Sequence, residues 1–112
     1  MDKAAYLQTI KQHLQTAYLL SEDKAASMIP VFVNTLKNHV NQLAELANYG
    51  DAEQLSRASH TVKGALLNIG LSELAELAFT IEQQCQNGEN PPSCQPLIHE
   101  LQHTVLLFCE DW

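Results

Sequence analysis

The sequence predicts an all-α fold, an antiparallel four-helix bundle with an additional N-terminal helix, and three observations point there. Apolar residues recur every three or four positions along nearly all of the 112-residue chain, the period of helices that each bury one face. Alternation at period two, the mark of a half-buried strand, appears nowhere. Four glycines and four prolines are too few for a disordered or turn-rich chain, and most of them fall between the periodic stretches. The length suits a single domain, residues 1–112, with one core.

The first periodic stretch runs from about Asp2 to Tyr18, with Tyr6, Leu7, Ile10, Leu14 and Ala17 on one stripe, and should pack sideways onto the rest as a lid. Ser21 can cap a second helix, where Glu22 and Asp23 suit the positive end of the helix dipole. Its stripe, Ala25, Ile29, Phe32, Val33, Leu36, Val40, Leu43 and Ala47, extends to Asn48 and passes across Pro30. Proline lacks an N–H and crowds the preceding turn, so a kink or break is expected between Ala26 and Pro30, with two shorter helices as the alternative. Gly50 stops this helix, and Asp51 with Gln54 three residues on reads as a capping box opening the third.

Gly70 should end the third helix as Gly50 ends the second, with Ser72 capping the fourth. The fourth carries Leu71, Leu74, Leu77, Ala78, Ile81 and Cys85 inward and ends near Gln86. Asn87-Gly88-Glu89-Asn90-Pro91-Pro92 reads as a loop, since neither glycine nor proline favours helix continuation. Ser93 then caps a last helix with Pro96 in its first turn. Leu97, Ile98, Leu101, Val105, Phe108 and Cys109 are its inward residues, and His99 and His103 point outward.

Charge and cysteine content narrow the function. A formal net charge of −7 with only 6 Lys and Arg argues against nucleic acid or an anionic membrane as partner, because both need clustered positive charge. Cys85, Cys94 and Cys109 show no C-x-x-C spacing and read as reduced thiols. No signal peptide and no apolar run near the ~20 residues of a membrane span is evident, so a cytoplasmic location is expected. His99 and His103, four apart, have chelate spacing but lack a third ligand, and no metal site is assigned.

The third helix holds the candidate site. Steps of about 100° per residue gather Leu55, Ala58, Val62, Ala65, Leu66 and Ile69 on its core face and place His60 roughly opposite, among Ser56, Arg57, Lys63, Gly64 and Leu67. An exposed imidazole is partly neutral and nucleophilic in a cell. Lys63 one turn on would favour an anion. Gly64, at a cost of about 1 kcal/mol relative to alanine inside a helix, bares the backbone beside the ring and suggests close approach by another molecule. The spacing taken alone is equally that of a solvated surface histidine.

His60-Thr61-Val62-Lys63-Gly64, followed by Asn68-Ile69-Gly70, resembles the signature of histidine-containing phosphotransfer (HPt) domains, His-x-x-Lys-Gly with a further glycine at this distance. The likeness is sharpest from Asp51 to Cys85. It implies that His60 is a phosphoacceptor in a multistep two-component phosphorelay, taking a phosphoryl group from a receiver-domain aspartate and passing it to a response regulator, with Lys63 and Gly64 completing the site. It implies a phosphocarrier and not an enzyme with kinase activity of its own, and no Gly-rich phosphate loop is present to contradict that. Partners would be response-regulator receiver domains and a hybrid sensor histidine kinase, the Mg²⁺ would sit on the receiver, this chain would need no cofactor, and a monomer is expected.

The same resemblance places Glu82 where members of the family often have a Glu or Gln that bonds the histidine's other ring nitrogen. Arg57 would add positive field, and Ser56 and Leu67 would belong to the docking surface, Leu67 being bulkier than the family's usual residue. Under this reading Lys63→Ala should slow transfer more than it harms stability. The competing reading is a non-catalytic helical adaptor in which His60 is incidental.

Overall fold

Five α-helices follow one another in a computed structural model that describes residues 2–86 and 91–109, without the side chains of 91–93. They are α1 (Lys3–Ala17), α2 (Glu22–Tyr49), α3 (Ala52–Asn68), α4 (Ser72–Gln86) and α5 (Pro91–Cys109). No strand occurs among the described residues, and the all-helical bundle expected from the periodicity is what forms. The stretch 87–90 of the expected loop lies outside the described residues.

Each helix start shows its cause. Asp2 accepts a hydrogen bond from the Ala5 amide at 2.9 Å, Ser21 accepts one from the Lys24 amide at 3.2 Å, and so each satisfies an N–H that has no partner within its own helix. Asp51 and Gln54 form the reciprocal capping box, with bonds of 2.8 and 3.0 Å. Two of the expected caps are not caps. Ser72 is already the first residue of α4, where the Leu71 carbonyl accepts from Ala75 at 3.0 Å, and Ser93 lies within α5, which begins two residues earlier at Pro91. A proline in a first turn removes an N–H that would have had no helical partner, so Pro91 and Pro92 open this helix instead of extending the loop. Pro96 consequently sits in the second turn.

The two glycine stops also differ. Gly50 ends α2 in an extended conformation (φ −83°, ψ 163°) and donates to the Leu46 carbonyl at 2.6 Å. Gly70, at φ +80°, ends α3 in a Schellman arrangement. Its own N–H bonds the Leu67 carbonyl at 3.1 Å, and the Leu71 N–H bonds Leu66 at 3.0 Å. A Cβ on Gly70 would also lie 2.5 Å from the His13 ring, so α1 is seated directly over the α3–α4 turn. The Tyr18 hydroxyl donates to the Asn68 carbonyl at 3.3 Å nearby.

No break appears at Pro30. α2 runs unbroken for 28 residues, which excludes the alternative of two shorter helices. The residues flanking the proline on the stripe, Ala25, Ile29, Val33 and Leu36, are all buried, and their burial outweighs the single backbone hydrogen bond that proline forfeits. The core then continues through Val40, Leu43, Leu55, Val62, Leu66, Ile81, Ile98, Leu101 and Val105. α3 packs chiefly against α4 and also against α2, and α5 closes the bundle between α2 and α4. α1 lies outside against α2 and α5, where Ile10 and Leu14 are buried and Tyr6 stacks on Phe108 with ring centroids 4.6 Å apart. Leu74, Leu77, Phe32 and Leu97 are half-buried against this core, not within it.

Candidate functional site

Burial on α3 follows Leu55, Ser59, Val62 and Leu66, a four-three-four spacing that seats one side chain per turn against the neighbouring helices. Ser59 therefore replaces Ala58 as the central buried residue. His60, one step round the helix, is thrown outward, and its side chain is 66% exposed.

The ring is not loose. Its Nδ1 lies 3.0 Å from Oε2 of Glu82, which reaches from α4 and is itself only 9% exposed. A carboxylate can only accept, so the contact holds the hydrogen on Nδ1 and leaves Nε2 with its lone pair as the ring nitrogen for an incoming electrophile. The other oxygen of Glu82, Oε1, is 3.0 Å from the Lys63 ammonium, in an ionic contact without the alignment of a hydrogen bond. One buried carboxylate thus serves both the imidazole and the lysine.

Lys63 differs from its expected placement. It is 21% exposed, with Nζ 4.7 Å from the centroid of the Phe79 ring, so it is held between a carboxylate and an aromatic face instead of projecting freely beside the histidine. Burying Glu82 requires a countercharge, and Lys63 supplies it. Arg57 stands apart: its guanidinium pairs with Glu53 one turn earlier on α3, so its charge is engaged there and not in the contacts around the ring.

Gly64 lies on this same side, and a Cβ built on it would meet nothing within 4 Å. The fold itself has no need of glycine there. Leu67 is 50% exposed and Phe79 41%, and with Lys63, Ser72, Ala75 and Glu76 they line a groove of about 250 Å³ between α3 and α4. Ser56, half-buried, borders a different depression with Glu53, Arg57 and Cys85, toward the N-terminal end of α3. His99 and His103 are exposed on α5, and no cluster of three or more metal-ligating side chains occurs among the described residues.

The structure therefore gathers His60, Lys63 and Glu82 into one contact network, keeps Gly64 and Leu67 beside it, and leaves Arg57 out. Phe79 is the residue that sequence reasoning missed. Its signal was available: an aromatic lying off the apolar stripe of an amphipathic helix, one turn before Glu82.

A family model described as Hpt domain matches residues 27–107, from the second turn of α2 to near the end of α5. Among curated proteins and among solved structures, none matches the chain.

Proposed function

We propose, from the premise that this chain belongs to the Hpt domain family, that His60 is its phosphoacceptor. Membership makes the chain a phosphotransfer module of two-component signalling, from a family of phosphocarriers that work with receiver domains and kinases. The finer assignment is that His60 takes the group from a receiver aspartate and gives it to a response regulator. The observation that carries it is the bond from His60 Nδ1 to the buried Glu82, which supports attack by the remaining nitrogen.

The chemistry follows from that bond. The Nε2 lone pair attacks the phosphorus of an aspartyl phosphate, the N–P bond forms as the acyl P–O bond breaks, and the aspartate leaves as a carboxylate. The imidazole carries its Nδ1 hydrogen throughout, and the positive charge that develops on the ring meets the Glu82 carboxylate. In the return step a second carboxylate attacks phosphorus and the histidine leaves neutral. The phosphoryl oxygens carry most of the charge in the transition state, and cations near them lower the barrier. Lys63 sits one turn away to contribute, and in this proposal the Mg²⁺ resides on the receiver.

Docking would use the groove that Leu67 and Phe79 border, with Gly64 allowing the partner's backbone to approach α3. The test is incubation with a phosphorylated receiver domain and Mg²⁺. The native protein should gain acid-labile phosphate and the His60→Gln variant none. Phosphoryl flow between receivers through His60→Gln would leave the adaptor reading in its place.

A further inference from the structure

Cys85 on α4 and Cys94 on α5 are both buried, and their Sγ atoms lie 3.5 Å apart. We propose that this pair is a redox-modification site, a dithiol that a peroxide converts to an intramolecular disulfide joining the end of α4 to the start of α5. The proposal stands on this contact and does not depend on the role of His60.

The fold makes the pairing selective. Cys109 follows Cys94 by fifteen positions on α5, which is roughly 22 Å at the rise of an α-helix, far beyond the reach of a disulfide. Cys109 is therefore excluded as partner to either thiol, and the two in contact need only draw together to about 2.05 Å to bond. Access is also unequal. Cys85 lines a surface groove of about 390 Å³ beside Ser56 and Gln86, whereas Cys94 lies fully enclosed behind it. A small oxidant reaches Cys85 from that groove, and Cys94 is positioned to resolve the product from within.

The steps balance. The Cys85 thiolate attacks one oxygen of hydrogen peroxide, an S–O bond forms as the O–O bond breaks, and the departing hydroxide takes a proton to become water. Cys94 then attacks the sulfenic sulfur, and the second hydroxide leaves with the Cys94 proton as another water. Two thiols are oxidised by two electrons and one peroxide is reduced to two waters. Glu82 precedes Cys85 by three residues on α4, so the bond would tie the turn that carries the His60 partner to α5.

The experiment treats the folded, reduced protein with hydrogen peroxide, removes the oxidant, denatures and alkylates. The expected result is one alkylated thiol of three, an intact mass lower by two hydrogens, a Cys85–Cys94 cross-linked peptide, and recovery of all three thiols with dithiothreitol. Cys109→Ala should form the same cross-link and leave no thiol to alkylate until dithiothreitol is added. Cys94→Ser should form no disulfide and leave a sulfenic acid on Cys85 that dimedone traps. Three alkylated thiols in native protein after peroxide, a cross-link that includes Cys109, or a bond between two chains would each overturn the proposal.

Discussion

Glu82 brings a carboxylate into the α3–α4 interface, where an unpartnered charge would cost several kcal/mol. Its two oxygens are instead divided between His60 and Lys63. Lys63 therefore helps hold the interface together as well as flanking the histidine, so Lys63→Ala should cost stability in addition to slowing transfer. Removing the ammonium leaves Glu82 short of its countercharge, so the variant should lose about 1–3 kcal/mol in chemical denaturation, and a second change, Glu82→Leu, should restore much of that loss. An unchanged denaturation midpoint in Lys63→Ala would show that solvent already screens the pair. His60, Lys63 and Gly64 were legible in the sequence because a helix face and a spaced signature both pick them out. The direction in which Lys63 turns was not, since it is decided by Glu82 and Phe79 on another helix. The burial of Ser59 was not legible for a related reason: a small hydroxyl residue does not advertise burial, although the four-residue step from Leu55 places it inward.

At the scale of the helices, the spacing of apolar residues identified all five, and most of the errors fell at their ends. A serine before a periodic stretch offers a cap, but the backbone can start the helix sooner or later than that side chain suggests, as Ser72 and Ser93 show. Pro30, where a kink or a break was expected, leaves α2 unbroken for a different reason. Its penalty is local, one missing donor and one crowded carbonyl, whereas α2 is fixed by burial along its whole length. That penalty is still present in the native state. Pro30→Ala should therefore stabilise the protein by about 2 kcal/mol, the helix-interior penalty of proline less the entropy that the more flexible unfolded chain regains. Thermal and denaturant unfolding would report it, and a destabilised Pro30→Ala would mean that the ring packs against neighbours strongly enough to offset its own cost.

For the molecule as a whole, α1 lies outside the bundle against α2 and α5, and one ion pair joining it to α2 responds to acid. Lys11 lies 2.6 Å from Glu22 at the start of α2. The hydrogen bond from Lys11, and then its charge, hold the Glu22 carboxyl below its ordinary value of 4.5. A carboxyl lowered by folding contributes stability above its unfolded value and loses that contribution as pH falls through the folded one. The native protein should accordingly exceed Glu22→Gln in melting temperature near neutrality, by a small margin since the pair is exposed, and that margin should shrink as pH falls below 4.5 and vanish once the folded carboxyl is protonated. A difference that persists in strong acid would have another origin.

Gly64 separates two properties that most positions combine. Because a methyl there would touch nothing, Gly64→Ala should fold as well as the native chain or better, by up to about 1 kcal/mol, and Gly64→Arg should keep its helical content while losing phosphoryl acceptance from a receiver. Circular dichroism beside a transfer assay would register both, and a Gly64→Arg protein that still accepts the group at the native rate would remove the need for a bare backbone. Selection for thermal robustness alone would favour alanine at this position, so under the proposed function its glycine answers to the shape of a visitor and not to the needs of its host.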